Sequence, residues 1–246
     1  MKIYYILLLS ILFVACNERE AITANGIIDK AIAEACKGNC DDAAIEFVFR
    51  KVKYKSTRQG GNFQYERNFI DSTGSVRDVI NNKGFSRFVN DSLQQLADTT
   101  ANKYAESVNS VHYFAQLPYG LNAAAANKEL LGEAVIKDKE YYEIGVTFSE
   151  EGGGTDFEDT FVYWVNKSTF HVDYLAYSYA VNGGGIRFRE AYNPRVVEGI
   201  QFVDYNNYKP PSLDIPLTEL DSLFQKNELK LLSKIETENV EVTLFK

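Results

Sequence analysis

Only two histidines occur in the chain, His112 and His171. His171 and Asp173 are two apart in an alternating stretch, so on a strand they project to the same side, the spacing of an acid/base pair or of half a metal site. No further ligand or nucleophile accompanies them in sequence, and a polar strand face opposite Phe170 and Val172 accounts for both. His112, between Val111 and Tyr113 in a helical segment, reads as a surface or packed histidine. Carboxylates gather at Glu150, Glu151, Asp156, Glu158 and Asp159 around a glycine run. Calcium takes oxygen ligands of this kind, but EF-hand spacing is missing and a solvated hairpin loop is the simpler reading. Gly183-Gly184-Gly185 joins two strands and opens no helix, so it is a turn and no phosphate cradle. Neither a Gly-x-Ser-x-Gly elbow nor a His-Glu-x-x-His run is present. The expectation is a non-enzymatic protein with no catalytic residue, no metal and no cofactor.

The three cysteines carry more information. Cys36 and Cys40 flank Lys37-Gly38-Asn39, and in an oxidising compartment they make a small disulfide loop; a two-cysteine metal or redox site is the alternative, although redox motifs usually space their cysteines by two. Cys16 directly follows Phe13-Val14-Ala15. Ahead of it, Met1 and Lys2 make a short positive start and residues 3–14 are apolar except for Ser10, the layout of a secretory signal peptide. As a helix that run covers roughly 18 Å, short of a ~30 Å hydrocarbon core.

A cysteine after a small residue at the end of such a segment resembles the lipobox of bacterial lipoproteins, with Phe13 where leucine is usual. The resemblance implies removal of residues 1–15, acylation of Cys16, and a membrane partner reached through that lipid, with residues 16–21 as the tether. The other reading is an ordinary signal peptide cut after Ala15, with Cys16 free. Asn17 is not the aspartate that resembles an inner-membrane retention signal, so the outer membrane is the expected location. Glu18 and Glu20 weakly resemble a surface-export signal, which leaves the periplasmic side and the cell surface both open.

Apolar residues make up 45% and charged residues 24% of 246, with a formal charge of −8 that repels phosphate backbones and argues against nucleic acid as a partner. Ile27, Ile28, Ala31, Ile32 and Ala35 recur at helical spacing. From Ala43 the period becomes two: Ile45, Phe47 and Phe49, then Val52 and Tyr54 after a phase slip near Arg50 that suggests a bulge, then Phe63, Tyr65 and Phe69 beyond Gly60-Gly61. A helical pattern is expected over residues 91–131, broken at Leu117-Pro118-Tyr119-Gly120 and resumed in the alanine-rich stretch after Asn122. An antiparallel meander follows, with Tyr142, Ile144, Val146 and Phe148 alternating against Glu143, Gly145 and Thr147, and with aromatic strands continuing to Tyr205. Thr218 is expected to cap a short helix, and one or two strands close the chain.

This order of elements, together with Glu140-Tyr141-Tyr142-Glu143-Ile144-Gly145-Val146 and Phe161-Val162-Tyr163-Trp164-Val165-Asn166-Lys167-Ser168-Thr169-Phe170, resembles the LolA/LolB-like lipoprotein-carrier superfamily and a group of Bacteroidota-type lipoproteins. The resemblance implies a mainly β (α+β) fold: a curved antiparallel sheet forming an incomplete barrel, covered by helices, as one domain over residues 22–246. It also implies a concave face that holds acyl chains, with a lipid or lipoprotein as ligand. The periodicity assigns Tyr142, Ile144, Val146, Phe148, Trp164, Phe170, Val172, Tyr174, Ile186 and Phe188 to one shared apolar face. Such a face is either filled as core, giving a structural or partner-binding envelope lipoprotein, or hollow, giving a lipid-binding one. If it is hollow, Trp164→Arg or Val146→Asp is expected to abolish binding more than stability.

Overall fold

A computed structural model describes residues 22–151, 157–180 and 183–245. The signal peptide, Cys16 and the tether expected from the sequence lie outside the described residues, as does Asp156 of the acidic glycine loop. Thr23 opens the first helix, α1 (Ala24–Cys36), by accepting the Gly26 N–H on its hydroxyl oxygen at 3.1 Å. Lys37, at φ 47°, ends it in the left-handed region. Cys36 and Cys40 are joined just beyond, S–S 2.08 Å.

Two seven-stranded antiparallel sheets follow. In the first, β1 (Ala43–Phe49), β2 (Val52–Gln59), β3 (Asn62–Asp71), β4 (Gly74–Asn81), β5 (Gly84–Val89) and β6 (Ser92–Leu93) pair in chain order. The last strand of the chain, β14 (Glu238–Leu244), adds to the free side of β1. In the second, β7 (Ala126–Ile136), β8 (Lys139–Phe148), β9 (Thr160–Asn166), β10 (Val172–Tyr179), β11 (Gly185–Val197), β12 (Ile200–Lys209) and β13 (Lys230–Ile235) do the same. Helix α2 (Asp98–Ala115) lies between the sheets in sequence and packs across β3, β4 and β5. The short α3 (Leu220–Gln225) precedes β13 and packs near β7. Among the described residues the fold is thus mainly β, two antiparallel sheets that do not close into a barrel, with three α-helices.

One apolar core joins α1, β1 and the inward faces of both sheets: Ile27, Ile28, Ile45 and Phe47 meet Ile144, Tyr163 and Leu175 there, each no more than 2% exposed. A second core lies on the opposite face of the second sheet, where α3 covers Trp164, Tyr174 and Phe188 with Leu220 and Phe224. Burial of a large apolar side chain contributes about 1.5–3 kcal/mol, so both faces of this sheet carry stabilising weight.

Two expectations are corrected here. The slip near Arg50 is no bulge: Arg50 and Lys51 have φ 51° and 66°, the paired positive values of a tight turn matched to strand twist, and they join β1 to β2. Asn90-Asp91 and Lys137-Asp138 repeat the device. The helical expectation ends at Ala115; residues 126–131, the end of the alanine-rich stretch read as helix, instead begin β7, because β8 offers a ladder to pair with.

Candidate ligand-binding cavity

The inward faces of the two sheets do not meet everywhere. Beneath α2 they leave a cavity of about 750 Å³, within the roughly 300–1,000 Å³ typical of small-molecule sites. Phe63, Tyr65 and Ile80 line it from the first sheet, and Phe148, Phe161, Leu175 and Tyr177 from the second. Helix α2 contributes Ala105, His112, Tyr113 and Phe114, and the following turn adds Leu117 and Tyr119. Exposed Asn102, Asn109 and Ser110 of α2 mark the side that faces solvent, with Glu106 and Asp159 also on the wall. The wall is therefore aromatic and aliphatic with a few polar groups, the composition that holds an apolar molecule and orients it.

At one wall those polar groups form a chain. Arg58 stands on the inward side of β2, continuing Tyr54 and Ser56, and is only 4% exposed. Its Nε donates to the Cys40 carbonyl at 2.7 Å and its Nη1 to Gln116 Oε1 at 2.6 Å, while the Tyr119 ring lies 4.1 Å from the guanidinium carbon. Gln116 Nε2 donates to His112 Nδ1 at 3.2 Å, which leaves Nε2 of the imidazole to donate to the Glu66 carbonyl at 3.0 Å. His112 stacks on Tyr65, centroids 4.7 Å apart, and meets the edges of Phe47 and Tyr54. Burial, reinforced by the nearby Arg58 charge, pushes the His112 pKa down to about 4, so the ring is neutral at ordinary pH. Arg58 Nη2 is buried with no hydrogen-bond partner among the described residues.

Across the cavity, Tyr113 and Tyr163 share a hydrogen bond of 2.7 Å between their hydroxyls, and burial raises both pKa values. Arg189 Nη2 donates to Tyr177 Oη at 2.8 Å, and its guanidinium lies 5.1 Å from the Phe114 ring centre. Arg189 Nε and Asn207 Oδ1, on residues opposite each other in the β11/β12 register, are also buried without partners among the described residues.

Of the ten residues assigned to one apolar face from the sequence, Phe148 lines the cavity. Tyr142, Ile144, Val146 and Val172 belong to the packed inward core, and Phe170, in a turn at φ 56°, stacks against Tyr142. Trp164, Tyr174, Ile186 and Phe188 are on the other side of the sheet, in the core under α3. The register explains the division: Ile144 pairs with Tyr163 and Glu143 with Trp164, so the odd residues of β9 join the even residues of β8. A register shift between Val172 and Tyr174 sends those two to opposite faces as well. Val146 and Trp164 are therefore core positions and do not line the cavity.

The other sequence candidates do not converge on this site. Asp173 accepts from Tyr141 Oη at 2.9 Å and serves that tyrosine, while His171 precedes β10 and is half-buried. Among the described residues no three His, Cys, Asp or Glu side chains come together as a metal site, and no helix is long and apolar enough to cross a membrane. Arg58, Gln116, Tyr113, Tyr163, Tyr177 and Arg189 were not singled out by the sequence. The signal available was that Arg58 extends the alternating row Tyr54, Ser56.

Solved structures similar to this chain include a LolA superfamily protein from Nitrosomonas europaea, at 15% identity over 91% of this chain and 92% of that one, TM-score 0.48. A putative outer membrane lipoprotein-sorting protein domain from Vibrio parahaemolyticus aligns at 7% identity over 88% and 91%, TM-score 0.48. A DUF1329 family protein from Desulfovibrio piger aligns at 10% identity over 89% and 92%, TM-score 0.43. No curated protein sequence matches the chain. The model of a family of unknown function, DUF6503, matches residues 2–239, and the chain belongs to that family.

Proposed function

We propose that the protein is a non-catalytic, lipid-anchored lipoprotein of the bacterial envelope that holds an apolar ligand, an acyl chain or an acylated molecule, in the space beneath α2. The observation that carries this reading is the cavity itself: about 750 Å³ between two sheets whose inward faces are packed tight at the α1 end and left apart at the α2 end. A cavity walled by Phe63, Ile80, Phe148, Phe161 and Leu175 and open to solvent leaves that apolar surface against water, without the contacts of a packed interior. An apolar chain restores those contacts, and the exposed residues of α2 at the rim give it a way in.

Anchoring belongs to the same proposal. Acylation of Cys16 would tether a half-barrel domain starting at residue 22 to the outer membrane, each buried methylene adding about 0.8 kcal/mol of membrane affinity. Metabolic labelling with an alkyne palmitate tests this directly: the label is expected on the wild type and absent from Cys16→Ser. Ligand holding is tested by loading the purified protein with a fluorescent fatty acid. Saturable binding supports the cavity, and binding that Ala105→Trp leaves intact counts against it, because that substitution places an indole in the space.

A further inference from the structure

A buried guanidinium that lacks an ionic partner is expensive, and natural structures seldom leave one so. Arg58 is in that position: 96% buried by its 4% exposure, on the wall of the cavity, and absent from every ion pair among the described residues. Its neighbours in the chain do not supply the missing charge, since Asp41 accepts from Tyr119 Oη and Asp42 from the Gly60 N–H, both at exposed positions. The rest of the side chain is held in place. Nε and Nη1 are bonded to the Cys40 carbonyl and to Gln116, and Tyr119 covers the plane. What is left is Nη2, unpartnered.

We infer that the cavity takes a single-chain amphiphile with an anionic oxyanion head, and that this head pairs with Arg58 Nη2 while the chain lies among the aromatic residues beneath α2. The inference rests on the apolar-ligand reading and narrows it to a class. The free Arg58 Nη2 can take one oxygen of such a head, that of a carboxylate or a phosphodiester. A charge-assisted hydrogen bond made in a water-poor pocket is among the stronger single contacts a ligand can make.

The test compares palmitic acid with methyl palmitate, which keeps the chain and removes the charge, and adds lysophosphatidylglycerol as the phosphodiester. On wild-type protein the acid or the lysolipid is expected to bind about tenfold or more tighter than the ester, and whichever anion binds better names the head. In Arg58→Gln the ratio of anion to ester affinity is expected to fall to about one, with Arg58→Lys retaining part of it. Equal wild-type affinities for anion and ester would overturn the inference and leave the cavity reading standing. Binding of none of the three would overturn both. Should Arg58→Gln fail to fold by circular dichroism, the wild-type ratio alone decides.

Discussion

Gln116 Nε2 donates to His112 Nδ1 across 3.2 Å, one helical turn apart, and so holds the imidazole in its neutral form with the proton on Nε2, toward the Glu66 carbonyl. Burial then keeps His112 unprotonated down to about pH 4, against 6.5 for the free side chain. Between those two values the unfolded chain binds a proton that the folded chain refuses. The contribution is therefore fully present above about pH 6.5 and is lost as pH falls through 4, amounting to roughly 3 kcal/mol. Urea unfolding of wild type and His112→Phe across this range checks it. The stability gap between the two should change by that amount from pH 7 to 4, and a constant gap would contradict it.

Asp78 is fully buried and is shared by two arginines: Arg67 Nε reaches Oδ2 at 3.0 Å and Arg87 Nε reaches Oδ1 at 2.6 Å. Arg87 also lies under Tyr104 of α2, 3.3 Å from the ring centre, so this cluster fastens the helix that roofs the cavity. Asp78→Ala leaves two largely buried guanidiniums without their carboxylate and is expected to cost about 3–5 kcal/mol in denaturant unfolding. Arg87→Met leaves the Arg67 pair in place and should cost clearly less. Equal losses for the two variants would show that the carboxylate is not the centre of the cluster.

Cavity and core separate experimentally. Ala105→Trp adds volume where there is space and should abolish ligand binding with a stability change of about 1 kcal/mol or less. Val146→Asp buries a carboxylate at a position 1% exposed and should unfold the protein outright. If Val146→Asp folded normally and lost only ligand, the packed and hollow regions would have to be exchanged.

The outer core gives the converse. Phe224 packs against Phe188 at 5.0 Å and Tyr174 at 5.5 Å between ring centres, on the face away from the cavity. Phe224→Ala is expected to cost about 3–5 kcal/mol, with ligand affinity unchanged when measured well below the melting temperature. A large loss of affinity would couple the two faces of the sheet.

Much of the architecture was legible because one face of many strands is polar. Ile45, Phe47 and Phe49 alternate with half-buried residues and pack where their period places them. Trp164 was misplaced because β9 is apolar on both faces, buried from Val162 to Asn166, and a run without alternation carries no information about direction. Only the pairing of Ile144 with Tyr163 decides it. The turn at Arg50-Lys51 hid because it contains no glycine or asparagine. Arg58 gave no sign of its role, since Gln116, which completes its setting, is 58 residues away and meets it only through α2.

Native mass spectrometry of the purified protein, before and after organic extraction, tests the central claim most directly. The account predicts an added mass that extracts as a single-chain anionic lipid, returns when palmitic acid is supplied, and is missing from Ala105→Trp. An apo mass in every sample, unmoved by palmitic acid, would contradict it.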